Sequence, residues 1–146
     1  MKERSGEELL GLRVRLHGVT VGRPVDLLLD REGLRAIGFD VLCGDEVHRF
    51  LPLPTAKITA DQISISSPLV LLEEDELDFY RARTVALSSL RGRAVERKRR
   101  QVGTLRDVVL GAGGELLAVL ADAGGTPRRI PFDEALSFAP ARRSAA

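Results

Sequence analysis

The feature that most constrains this chain is an internal repeat. Leu9 to Gly33 recurs as Leu90 to Gly114, 81 positions later and without a gap. Eight of the 25 positions hold the same residue: Leu9/Leu90, Gly11/Gly92, Val14/Val95, Val21/Val102, Gly22/Gly103, Asp26/Asp107, Leu29/Leu110 and Gly33/Gly114. Ordinary composition would leave about two such identities by chance. The retained residues are glycines at fixed offsets with aliphatic and β-branched residues between them, so we read two copies of one supersecondary unit.

Splitting 146 residues in two leaves halves of roughly 65 to 70 residues, and a core of that size supplies only about 3 to 5 kcal/mol. The halves are therefore expected to pack on each other or on a partner chain, and to be poorly stable in isolation. With 22 basic and 21 acidic residues the net charge of +1 names no partner. Cys43 is the only cysteine, which excludes a disulfide framework or a multi-cysteine metal site within the chain and fits a reducing, cytoplasmic setting. Met1 to Leu10 is charged and lacks the apolar core of a signal peptide. No run approaches the 18 or so apolar residues of a membrane helix, so by its own sequence the chain is expected to be neither exported nor membrane-spanning.

Met1 to Glu8 reads as a charged, frayed end. Arg13 to His17 alternates, with Val14 and Leu16 on one side, at the period of a half-buried strand. Val25 to Asp30 is a second strand, and Asp30 to Gly33 a turn whose glycine takes a positive φ cheaply, as Gly114 would at the matching place. In the strand Leu34 to Leu42, residues Ile37, Phe39 and Val41 share an inward face, with Ala118 and Leu120 as counterparts. Val47 to Leu53 follows, with Val47, Leu51 and Leu53 pointing one way, His48 and Phe50 the other, and Pro52 marking an edge or strand end. Ile58, Ile63 and Ile65 supply one or two closing strands.

Residues 67–88 form an acidic linker. Leu77, Tyr80 and Thr84 fall at helical spacing behind the run Glu73 to Glu76, which predicts one short helix with Asp75 and Asp78 as an N-cap pair. The second copy has strands near Arg93–Glu96, Leu105–Leu110, Leu116–Ala121 and Arg128–Phe132. Arg49 to Leu53 reappears as Arg128 to Phe132, so the offset falls from 81 to 79, a change assigned to the loop just before. Nothing obvious matches Ile63 to Ile65 in the second copy, which leaves one sheet edge open.

The motif Leu90-Arg91-Gly92-Arg93-x-Val95, then Val102-Gly103-x-x-x-Asp107-Val108-Val109-Leu110, Gly114 and Arg129-Ile130-Pro131-Phe132 resembles the PRC-barrel family, the small β-barrel of the photosynthetic reaction centre H subunit and the ribosome maturation factors. The first copy matches with Leu9-x-Gly11-x-x-Val14, Val21-Gly22, Asp26 to Asp30, Gly33 and Leu51-Pro52-Leu53. The resemblance implies a mostly β fold of two tandem antiparallel PRC-type barrels, at residues 9–66 and 89–140, joined by the helix-containing linker. It also implies use as a docking or regulatory piece, with no shared catalytic residue. The chain departs from both named relatives: it has no membrane helix of the reaction-centre kind, and its first copy stands where a ribosome maturation factor has a different domain.

Candidate chemistry is sparse. His17 and His48 sit on strands beside arginines, rather than beside a carboxylate or a second ligand, so a metal or general-base role is disfavoured. Asp26 and Asp107 open aliphatic strands, where an aspartate commonly bonds nearby backbone amides, and neither has a second carboxylate to make an acid/base pair. Gly111 to Gly114 lacks the lysine and helix of a phosphate loop and reads as a turn. The serines have no histidine within motif reach. No cofactor is implied.

One feature exceeds what a scaffold needs. Arg91, Arg93, Arg97, Lys98, Arg99 and Arg100 place six cations within ten residues, ending at the tip of a hairpin where the first copy has Leu16-His17-Gly18-Val19. Such a tip is either solvated, paired with the acidic run Glu73 to Asp78 in the same or a neighbouring molecule, or set against phosphates or an acidic protein. The leading expectation is a non-enzymatic adaptor that docks on another protein or on a second copy of itself. An RNA- or ribosome-associated factor using the Arg97 to Arg100 hairpin comes second, and peripheral association with a membrane complex stays open. With one tyrosine and no tryptophan, base stacking has little to work with.

Overall fold

The computed structural model describes residues 3–140. A two-residue strand β1 (Arg4–Ser5) leads into helix α1 (Gly6–Leu10), where the Ser5 side chain caps the first turn by accepting from Glu8 N. The expected frayed start is thus corrected from Arg4 onward; Met1 and Lys2 lie outside the described residues. Then come β2 (Arg13–Leu16), β3 (Val19–Asp30), β4 (Ala36–Cys43), β5 (His48–Pro52), β6 (Lys57–Ile58) and β7 (Gln62–Ile65). The linker holds α2 (Glu74–Arg83), β8 (Thr84–Ala86) and α3 (Leu87–Leu90). The second copy has β9 (Ala94–Arg97), β10 (Arg100–Leu110), β11 (Leu116–Ala123), β12 (Thr126–Pro131) and β13 (Leu136–Phe138). The protein is mostly β, in two barrel-like sheets ordered β5-β4-β3-β2-β7-β6 and β12-β11-β10-β9-β13.

The repeat is legible in the register. Val14 pairs Gly22 as Val95 pairs Gly103, and each pairing is followed by a bulge at Val21 or Val102. A bulge bends its strand and tightens the local twist. Glycine is needed there because the next strand crosses so close: a methyl on Gly22 would lie 2.8 Å from the Leu42 carbonyl oxygen, and one on Gly103 2.9 Å from Ala121 Cβ.

Four expectations change in detail. A second bulge sits at Ile37 in β4 and at Leu117 in β11, so Ile37 turns away from Phe39 and Val41, which stay in the core with Ala36. The spatial counterparts of Phe39 and Val41 are Val119 and Ala121, an offset of 80, not Ala118 and Leu120. One residue is therefore lost in the turn before β11 and the other in the loop before β12. For the same reason Gly33 and Gly114 are not equivalent: the left-handed residue of the first turn is Leu34 (φ 54°), matching Gly114 (φ 84°), while Gly33 keeps a negative φ. Helix α2 starts after Glu73, with Asp75 and Asp78 inside it and no side-chain cap, because the N-cap position falls on Glu73 and not on one of the short polar residues that favour it.

The closing strands differ between copies. β7 runs parallel to β2, which corrects the all-antiparallel expectation, placing Ile63 beside Val14 and Ile65 beside Leu16. In the second copy β13 takes the same place beside β9 but antiparallel, with Phe138 beside Val95 and Leu136 beside Arg97. The edge expected to be open on β9 is thus covered by a reversed segment; Ala141 to Arg143 lie outside the described residues.

The copies are interlocked. β1, which precedes the first copy, pairs with β10 of the second (Arg4 with Leu110, Ser5 with Val109). β8, which precedes the second copy, pairs with β3 of the first through the equivalent residues (Val85 with Leu29, Ala86 with Leu28). Each copy thus lends a strand and a short helix to its neighbour's central strand. One continuous core results, running from Leu9, Val14, Phe39 and Ile63 to Leu87, Val95, Val108 and Val119. Pooling the apolar faces overcomes the small core each half has alone. A separate cluster of Leu28, Phe50 and Leu77 forms where α2 lies over the outer face of the first sheet.

Candidate functional site

Asp26 and Asp107 are structural in a way sequence showed only in part. Each accepts from the next backbone amide, Leu27 N at 2.9 Å and Val108 N at 2.8 Å. Each also caps the arm of the other copy: Asp107 accepts from Glu7 N at 3.0 Å, and Asp26 from Ser88 N at 3.1 Å and from the Ser88 hydroxyl. Glu7 and Ser88 are themselves equivalent positions, so the bonds are reciprocal. A carboxylate at a helix start satisfies amides that have no intrahelical partner.

His48 has a carboxylate neighbour that the sequence did not reveal. Its Nδ1 lies 2.8 Å from Asp40 Oδ1, and Arg81 of α2 donates to the other oxygen of the same carboxylate. Asp40 is buried, and a buried carboxylate needs such partners. The group fastens α2 to β4 and β5 beside the stacked rings of Phe50 and Tyr80, whose centroids are 4.3 Å apart. The available signal was Asp40 interrupting an otherwise apolar strand. His17 sits at the β2–β3 turn with φ 50° and joins no such group. Among the described residues no cluster of three or more His, Cys, Asp or Glu is placed to hold a metal ion.

The six cations divide. Arg97 donates to Asp133 at 2.9 Å and to the Pro131 carbonyl at 3.1 Å, and its guanidinium holds the Asp133 carboxyl below the usual carboxylate range. It is a strut between β9 and the segment leading to β13. Lys98 and Arg99 form the turn with φ of 51° and 67°, a pair of left-handed residues that suits a two-residue hairpin. With Arg100 they are exposed and meet no carboxylate among the described residues. The acidic run does not neutralise them within the chain: Glu73 lies 3.9 Å from Arg49 and Asp78 3.5 Å from Arg81.

Arg91 and Arg93 belong to a different place. They line a cleft of about 480 Å³ at the base of the hairpin, with Ser89, Gln101, Thr104 and Pro140. Arg91 Nε donates to the Arg106 carbonyl at 3.2 Å and Arg93 Nε to the Ser89 carbonyl at 2.9 Å, so both guanidinium groups are held by the backbone. One Nη of Arg91 lies 3.8 Å from Asp107. The sequence run supplied the two arginines, with Ser89 two residues before it; Thr104, Ala139 and Pro140 join them through the fold.

No protein-family model matches the chain, and no curated protein matches it. No described helix is long and apolar enough to cross a membrane.

Proposed function

We propose that this chain is a non-catalytic docking module built from two PRC-type β-barrels, acting in a reducing, cytoplasmic setting on another protein or on a second copy of itself. The observation that supports it is the contrast between inside and outside. The inward residues and the reciprocal arms match between copies, while the outward positions have diverged. The first sheet carries Phe50 and Asp40 under α2; the second has Arg129 and Leu120 at those positions and no counterpart of α2 among the described residues. The polar groups closest to a chemical site, Asp26, Asp107, Asp40 and His48, are engaged in holding elements together. Size-exclusion chromatography with light scattering, together with affinity capture from a cytoplasmic extract, tests this: a saturable complex or a homodimer is expected, and a strict monomer with no partner would overturn it.

A second reading, association with RNA or a ribosome, rests on the three exposed cations Lys98, Arg99 and Arg100 at the hairpin tip. Replacing Lys98, Arg99 and Arg100 by glutamate would then abolish RNA co-purification at moderate salt. Unchanged co-purification would reject this reading and leave the docking proposal standing.

A further inference from the structure

We propose that the cleft beneath the basic hairpin binds the phosphate group of a small phosphorylated ligand of roughly mononucleotide size. The inference is independent of the docking proposal, and four observations carry it.

Among the described residues the lining includes Arg91 and Arg93 with three neutral polar residues, Ser89, Gln101 and Thr104, and no Asp or Glu. The nearest counter-charge, Asp107, is 3% exposed and already accepts from two backbone amides, so it only partly offsets Arg91. The positive charge of Arg93 faces no protein carboxylate among the described residues.

Both forks are also preorganised. Each guanidinium is oriented through Nε by a backbone carbonyl, which leaves terminal N–H groups to meet oxyanion oxygens. A planar fork fixed beforehand loses little entropy on binding phosphate.

The repeat supplies an internal control. The positions of Arg91 and Arg93 in the first copy are Leu10 and Leu12, which pack into or against the core. The shared fold therefore does not require cations there. The backbone changes with them: Gly92 has φ 88° where Gly11 has φ −81°, and Gly92 N donates to the Leu105 carbonyl at 2.8 Å. That left-handed step sets Arg91 and Arg93 at the cleft wall, where the first copy buries leucines.

Size narrows the class. A volume of about 480 Å³ exceeds what a bare phosphate fills and falls in the range of small-molecule sites, about 300 to 1,000 Å³. Ala94, Ala139 and Pro140 give the cleft an apolar side for the rest of the ligand.

Isothermal titration of the full chain tests this with AMP as the probe and adenosine as its phosphate-free control. AMP is expected to saturate a single site that adenosine does not fill. Arg93→Leu and Arg91→Leu, which restore the first-copy residues, should each weaken AMP by about tenfold or more, the size of losing a charge-assisted hydrogen bond. A matching melting temperature would show that each variant remains folded, and Arg93→Lys serves as a second, milder variant should Arg93→Leu not fold. The triple variant K98A/R99A/R100A should bind AMP as the parent does. A short RNA that displaces AMP would place an RNA phosphate in the same cleft and support the site. Equal binding of adenosine, no saturation by AMP, or a loss confined to the hairpin-tip variant would overturn it.

Discussion

The two copies are alike where they meet and unlike where they face outward. At the meeting point even the likeness is adjusted: Gly6 and Leu87 are equivalent positions, and they face each other. A methyl on Gly6 would lie 2.5 Å from Leu87 Cδ2, so the side chain of one copy fills the space the other leaves open. Two identical leucines would collide there, and two glycines would leave a void. The halves have thus become complementary rather than identical, a change open to a fused pair and closed to a symmetric homodimer, whose interface must be self-complementary. Outward, the first copy buries Phe50 under α2, whereas the second pairs Arg129 with Glu3 at 3.1 Å in the open.

The sharpest break of this comparison is at the outer faces. Phe50→Ala should cost about 3 to 5 kcal/mol by removing the ring on which α2 rests, whereas Arg129→Ala at the equivalent position should cost less than about 1 kcal/mol. Chemical denaturation of both variants checks this, and similar costs would mean that α2 is not a true cover. Next comes the knob and its hole. Gly6→Ala should destabilise by about 1 to 3 kcal/mol through overpacking, and adding Leu87→Ala should relieve part of that cost, so the double variant is less destabilised than the sum of the singles. Additive costs would contradict the complementary fit.

The turns come third. Gly114→Val should cost about 1 to 3 kcal/mol, since its φ is 84° and a Cβ would press on the Ala36 carbonyl oxygen at 2.9 Å. Gly33→Val, with a negative φ and only Asp30 Oδ1 at 3.8 Å, should change little. The smallest effect is electrostatic. Two hydrogen bonds from Arg49, at 3.0 and 2.8 Å, hold the Asp45 carboxyl down at about 2. The lowered value means that its contribution is complete above the ordinary carboxylate range and is lost as pH falls toward 2. The group is exposed, so Asp45→Asn should flatten the acid limb of the stability curve only slightly. The second copy has Ala123-Gly124-Gly125 in that loop and no such ion pair.

Much of this was legible in the residues. The repeat announced matched strands, and Phe39, Val41, Leu51 and Leu77 fell inward as their spacing required. What escaped was whatever depends on one residue more or less. The bulge at Ile37 flips the alternation, and a turn one residue shorter replaces Gly33 by Leu34 as the partner of Gly114. The interlocking escaped for another reason. β1 and β8 are two and three residues long, too short to show a period, and their partners lie more than 50 residues away in sequence. The run Arg91 to Arg100 was visible as charge, but its division into a strut, an exposed tip and a cleft wall depends on Asp133, Ala139 and Pro140, which only the fold brings near.

The central claim is that the reciprocal arms make the two copies one cooperative body. Native-state hydrogen exchange measures this directly at the amides of Leu27 and Leu29 in β3 and of Val108 and Leu110 in β10. Both sets are expected to open with the same free energy, and Asp107→Asn to lower both together. Separate opening energies, with the substitution felt in β10 alone, would contradict the claim.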